Sequence, residues 1–208
     1  MSFELWATFF VASTALLAVP GPTVLLVVSY ALGQGRSSGW ATVPGVTLGD
    51  FTAMTVSLLG AGALLATSAT LFTVLKLAGA AYLIWLGVKL WRAEPKLESV
   101  QDTAVGQSRS SMFWNAYVVT ALNPKGIIFF VAFVPQFIDP AADALPQFMI
   151  LEATFLVLAA LNVVIWAVLA GHLRSRFKQP KTLKFVNRMG GGILIGAGIL
   201  TAAVRRSS

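Results

Sequence analysis

An apolar run long enough to cross a membrane is interrupted near its middle by Pro20-Gly21-Pro22, and this interruption constrains the fold more than any other feature of the chain. Apolar residues dominate from Leu5 to Val19 before the triplet and from Val24 to Leu32 after it. Pro22 has no N–H to give to a helix, and its ring disfavours helical geometry at Gly21. Several backbone groups are therefore freed at membrane depth. Lipid cannot hydrogen-bond them, so they must face protein or a watery cavity. Such a break is either a packing kink or, as in many transporters, an element of a small-solute or ion site.

The rest of the composition agrees with a membrane setting. The 208 residues are 57% hydrophobic and only 11% charged, where a soluble domain carries roughly 25% charge. Mean hydropathy is +0.79. There is no cysteine and one histidine, which excludes a disulfide framework and a thiolate nucleophile, and leaves little scope for a zinc or haem centre. No metal and no cofactor are expected. The formal charge is +7, but most bases lie between apolar stretches, the pattern of a membrane protein rather than of a nucleic-acid binder. The N-terminus has an acid, Glu4, and no base, unlike a cleaved signal peptide.

A span needs about 20 mostly apolar residues. Six stretches qualify, at about 4–32, 39–66, 70–91, 112–137, 146–171 and 186–204. The expected fold is all-α, a polytopic membrane protein of six transmembrane helices in one domain over 1–208. Bases set the orientation. Arg36 lies in the first loop, Lys89, Arg92, Lys96 and Arg109 around the third, and Arg174, Arg176, Lys178, Lys181, Lys184 and Arg188 around the fifth. The fourth loop has Asp139 and Asp143 and no base. Odd loops are then cytoplasmic and both termini periplasmic, with Arg205 and Arg206 the exceptions.

The polar segment at about 93–111 divides the chain into one repeat at about 1–92 and another at about 112–208. Three spans each make the halves point in opposite directions. Their features recur in order. Pro20-Gly21-Pro22 has a counterpart about 103 positions on, in Asn123-Pro124-Lys125. Asp50 in the second span is matched by Glu152 in the fifth, about 102 positions on, and the third and sixth spans are both glycine-rich. Two inverted three-helix repeats with broken first and fourth helices are a transporter signature, and substrate sits between the breaks. Coincidence in a glycine-rich membrane protein is the alternative.

Asp50 lies about eleven residues into its span, near 16 Å deep at about 1.5 Å per residue and close to the bilayer centre. An acid there costs about 3 kcal/mol on insertion scales and is retained for a partner, a cavity or a proton. Lys125, about thirteen residues into the fourth span, reaches similar depth beside the Pro124 break. Together they make either a buried ion pair or a site for a zwitterion, with Lys125 on the carboxylate and Asp50 on the amine. Glu152, near the end of its span, is a weaker candidate. Asn115 and Asn162 suit hydrogen bonds between helices, and His172 an interfacial anchor. The small-residue pattern from Gly45 to Gly49 suits close helix packing. A homodimer is left open.

Gly35-Arg36-Ser37-Ser38-Gly39 fits a nucleophile-elbow pattern but joins two membrane spans, where that motif needs a strand and a helix. An intramembrane aspartyl site would need a glycine at Thr47 and a second membrane aspartate. The chain therefore does not read as an enzyme.

At these residues the chain resembles the lysine-exporter (LysE/RhtB) family of bacterial amino-acid exporters. The matching pieces are Val19-Pro20-Gly21-Pro22, Gly45 to Gly49-Asp50, Leu75-Lys76-Leu77-Ala78-Gly79-Ala80-Ala81-Tyr82-Leu83 with Gly87, Leu122-Asn123-Pro124-Lys125 and Pro135-Gln136-Phe137-Ile138. They cover nearly the whole chain in the family's order. The resemblance implies an inner-membrane exporter of amino acids or close derivatives, of homoserine, threonine, lysine or leucine type, driven by proton antiport. It carries Pro20, Gly21, Pro22, Asp50, Asn123, Pro124 and Lys125 over as functional positions, with Gly49 beside them. A passive channel or facilitator and a non-transporting membrane subunit are the rival readings.

Overall fold

The computed structural model describes residues 1–19, 21–67, 69–92, 106–139 and 142–172, together with scattered helical positions between 184 and 199. Pro20, most of the linker at 93–111 and most of the sixth apolar stretch lie outside the described residues. The described elements are all helical. They are α1 (Phe3–Ala18), α2 (Pro22–Gln34), α3 (Gly39–Thr67), α4 (Ala69–Arg92), α5 (Arg109–Ala121), α6 (Pro124–Ala132) and α7 (Ala144–His172), with short 3₁₀ turns at Arg36–Ser38 and Val134–Phe137.

Local chemistry sets the helix ends. Ser2 and Ser108 cap α1 and α5, accepting the N–H of Leu5 and of Ser111. α2 and α6 each begin on a proline, Pro22 and Pro124, whose missing N–H is one that a helix start leaves unpaired anyway. Gly35, at φ 79°, supplies the left-handed turn that ends α2. Outside the bundle proper, the buried amide of Gln147 organises the loop before α7. It donates to the carbonyls of Asp139, Ala142 and Asp143 and accepts from the Asp139 N–H at 2.9 Å.

α7 is long and apolar enough to cross a membrane alone, over Ala144–Ala170. Phe3–Ala18 with Pro22–Gln34, bent by 53°, and Arg109–Ala121 with Pro124–Phe137, bent by 43°, pass the same test when each pair is taken as one span. α3 and α4, of 29 and 24 residues, also exceed the roughly 20 residues that a bilayer core about 30 Å thick requires.

α3 is the central helix, packed against α5, α7, α6, α4 and α2. Its tightest contact is with α5. A Cβ built on Gly45 would lie 2.5 Å from the Phe113 carbonyl oxygen, and one on Gly49 would lie 2.8 Å from that of Tyr117. Only glycine permits this approach, so the Gly45–Gly49 pattern packs the bundle from within. Gly87 of α4 meets Gly191 of the last stretch in the same way.

The core divides into two main layers. One is aromatic, built on Phe9, Phe129, Phe130, Phe133, Phe137 and Phe155 with Leu16 and Met54. Its rings meet at centroid distances of 4.8–6.5 Å. The other is small and aliphatic, from Val24, Val27, Val28, Ala31, Val46, Ala116, Val163, Ala167 and Ala170. α3 and α7 run through both layers, and both helix breaks fall at the seam between them.

Candidate functional site

The seam holds a cavity of about 40 Å³. Leu16, Phe155 and Ala159 wall it on the aromatic side, and Val24, Val46 and Val163 on the aliphatic side. Between them it is lined by Gly21, Thr23, Asp50, Asn123, Lys125 and Asn162. A cavity of this size takes two or three water molecules. For a whole amino acid to enter, the side chains of one layer would have to move aside.

Each break leaves helix ends with no partner of their own. At the first, α1 stops at Ala18 and Val19 turns extended. The Lys125 ammonium fills that gap, donating to the Leu16 carbonyl at 2.9 Å and the Val19 carbonyl at 2.8 Å. An ammonium has three donors, so one N–H remains for a further acceptor. The N-terminus of α2 at Gly21 has no side-chain cap. Gly21 lies against the same lysine: a Cβ there would be 3.6 Å from its Cδ and Nζ. Unpaired N–H groups, the positive end of a helix and an ammonium thus converge on one side of the cavity.

At the second break Asn123 does the capping. Its Oδ1 accepts the Lys125 backbone N–H at 3.1 Å, which closes the start of α6 and fixes where the lysine side chain leaves the backbone. Its Nδ2 donates to Thr23 Oγ1 at 3.3 Å, and Thr23 shares a hydrogen bond of 3.2 Å with Thr120. This chain of polar groups joins α2 to α5 and α6, one break to the other.

Asp50 enters from α3. It is 8% exposed, as is Lys125. Asp50 and Lys125, of opposite formal charge, line the same cavity. Among the described residues no group donates a hydrogen bond to the Asp50 carboxylate. A buried carboxylate without donors is costly, and a cation placed in the cavity would offset that cost.

The structure therefore brings together Gly21, Asp50, Asn123 and Lys125, with Pro22 and Pro124 as the first residues of the helices that meet there. Gly49 faces α5 rather than the cavity, beside Asp50. Glu152 does not line the cavity; half-buried, it accepts the Thr55 hydroxyl at 2.6 Å. Asn115 belongs to a separate polar cluster at the start of α5, donating to Tyr30 Oη at 2.8 Å and to Gln107 Oε1 at 3.1 Å. Thr23 and Asn162 are cavity residues that the sequence did not single out as such. Their signal is only that each lies on a face shared with cavity residues: Asn162 with Phe155 and Ala159 on α7, at helical spacing.

Residues 14–203 match the family described as LysE type translocator. The chain is 34% identical over 207 residues, the full length of both proteins, to the homoserine/homoserine lactone efflux protein of Salmonella typhi. It is 31% identical over 205 residues to a membrane protein of Vibrio cholerae with no assigned role, covering 99% of this chain and all of that one. It is 32% identical over 202 residues to the leucine efflux protein of Enterobacter sp. (strain 638), covering 97% of this chain and 94% of the relative. No solved structure matches it.

Proposed function

The chain belongs to the LysE type translocator family, and from that premise we propose that it exports an amino acid or close derivative from the cytoplasm across the bacterial inner membrane in exchange for protons. The observation that carries this reading is the cavity at the meeting point of two helix breaks, with an acid and a base on its walls. Relatives of full-length similarity named for homoserine and leucine efflux support the substrate class.

In this reading the substrate carboxylate takes the remaining Lys125 N–H and the uncapped start of α2. Its ammonium faces Asp50, which has no other donor. Asp50 then alternates between substrate and proton, so each turnover exchanges one for the other. One charge moved across 100 mV is worth about 2.3 kcal/mol, a gradient of about fifty-fold. One proton per substrate is enough.

The proposed architecture is six spans in two inverted repeats, about 1–92 and 112–208, with both termini periplasmic. The two bent helix pairs, one from each half, support it. In that orientation the aromatic layer closes the periplasmic side of the cavity and the aliphatic layer the cytoplasmic side. Small aliphatic side chains separate more readily than interlocked rings, which suits a protein that loads from the cytoplasm.

The test is uptake of a labelled amino-acid panel into inverted vesicles, with and without a pH gradient. Wild type accumulates its substrate only with the gradient. Asp50→Asn inserts normally and loses gradient-driven accumulation. Wild-type rates in that variant remove Asp50 from the mechanism, and flux indifferent to the gradient makes the protein a passive facilitator.

A further inference from the structure

The cavity has a wall that the charges do not explain. Lys125, Asp50 and the start of α2 would hold the groups common to every amino acid, its carboxylate and its amine. A further wall is α7, which contributes Phe155, Ala159, Asn162 and Val163. Three of these are apolar. Asn162 is the exception, half-buried and set where the α7 wall meets the aliphatic layer.

Asparagine inside a membrane bundle ordinarily bonds a neighbouring helix. Among the described residues Asn162 has no such bond. Other polar side chains of the cavity are engaged: Thr23 with Thr120 and Asn123, Asn123 also with the Lys125 backbone, and Lys125 with two carbonyls. Asp50 and Asn162 are the two polar lining residues whose side chains have no protein hydrogen bond among the described residues. Asp50 has a counterpart in the substrate amine; Asn162 has none yet.

We infer that Asn162 determines specificity: its amide binds the side chain of the exported amino acid and selects a short, neutral side chain bearing a hydroxyl or carbonyl over an apolar one of equal size. The inference rests on the export reading above. An amide both donates and accepts, so it can serve a hydroxyl in either direction or donate to a carbonyl. It carries no charge, so its hydrogen bonds alone do not offset the desolvation of an ammonium or carboxylate side chain. The apolar neighbours Phe155 and Val163 bound the space and keep the side chain short. When an apolar substrate occupies the site, the amide is left unpaired, and a polar group left unpaired rejects a ligand more strongly than a missing methylene does.

The experiment measures transport of homoserine and of norvaline, in which a methyl replaces the hydroxyl, by the full chain in proteoliposomes. Wild type is expected to favour homoserine, on the order of ten-fold or more in kcat/KM. Asn162→Leu is expected to bring that ratio to one or below, mainly through homoserine, while Asn162→Ser, which keeps a hydroxyl, retains some of the preference. An unchanged ratio in Asn162→Leu overturns the inference. So does loss of both substrates in equal proportion in the two variants, which makes the residue structural. Wild-type protein that moves neither these two nor any other amino acid overturns the export reading itself, a result distinct from an unchanged ratio.

Discussion

At the second break, between α5 and α6, the chain looks after itself. Asn123 caps α6 from the residue just before it, and the stop and restart are settled within a few positions. At the first break, between α1 and α2, the described residues supply no side-chain cap, and locally the Val19 N–H returns to the Leu16 carbonyl at 3.2 Å. The start of α2 has no side-chain cap, and the carbonyls at the end of α1 are held by Lys125, over a hundred residues away in the chain. One break is a fixed structural element. The other is held closed by a charged group that can also serve a ligand. A lysine that holds α1 while reaching a substrate carboxylate couples occupancy of the cavity to the position of α1, and the self-capped break gives it a rigid base.

The largest effect should come from removing that lysine. Lys125→Met withdraws the donor from Leu16 and Val19 and leaves Asp50 as a lone buried charge. A loss of about 3–5 kcal/mol in unfolding free energy is expected, with transport abolished. Adding Asp50→Asn should recover much of the stability and none of the transport, because the second change removes the stranded carboxylate without restoring a site. Denaturant titration in detergent reads the first quantity and vesicle flux the second. A change within about 0.5 kcal/mol, the size of an ordinary surface substitution, would mean that the first break does not depend on Lys125.

Next in size are added side chains. Gly45→Ala drives a methyl to 2.5 Å from the Phe113 carbonyl, and overpacking of this kind costs about 1–3 kcal/mol. It should shift α5, and with α5 the second break. Gly21→Ala places its methyl 3.6 Å from Lys125, an ordinary contact, and should fold as wild type does. Equal thermal stability of the two variants would contradict the picture of one packed break and one open one.

The breaks were legible in the sequence because proline acts locally: a missing N–H and a fixed φ need no knowledge of the fold. Asp50 and Lys125 were legible because a charge counted into the middle of an apolar span is anomalous wherever it points. What Lys125 binds was not legible. Its partners are carbonyls of the other half, and no spacing rule connects residues so far apart. Offsets along the chain matched Glu152 to Asp50, yet an offset says nothing of which face of α7 looks inward; Asn162 and Phe155 share the cavity face, and Glu152 takes the Thr55 hydroxyl instead. Asn162 itself was legible only as a polar residue in a span, which suits helix pairing as well as a cavity wall. The Gln147 clamp was invisible for the same reason, since its carbonyl partners are main chain and leave no mark on composition.

The self-capped break makes a smaller prediction. Asn123→Ala removes the cap from α6 and should cost about 1 kcal/mol, with weakened transport because Lys125 loses its fixed departure point. Asn123→Asp keeps an acceptor for the same N–H and should recover most of the stability.

The smallest effect tests whether the two breaks are joined by anything besides Lys125. Thr23 lies between Asn123 and Thr120, at 3.3 and 3.2 Å. Thr23→Val keeps the shape and deletes the hydroxyl, leaving Thr120 without that partner in a position only 2% exposed. Hydrogen bonds between membrane helices average about 0.6 kcal/mol; Thr23→Val loses two, to Thr120 and to Asn123, and the coupling to Thr120 is of the order of one of them. Adding Thr120→Val should then cost little more, because the Thr120 hydroxyl is no longer stranded and only the Asn123 amide has lost its partner. A double-mutant cycle over the pair isolates the coupling. A coupling near zero would mean that the Thr23–Thr120 contact does not help hold α2 to α5, and would make the difference between the two breaks sharper still.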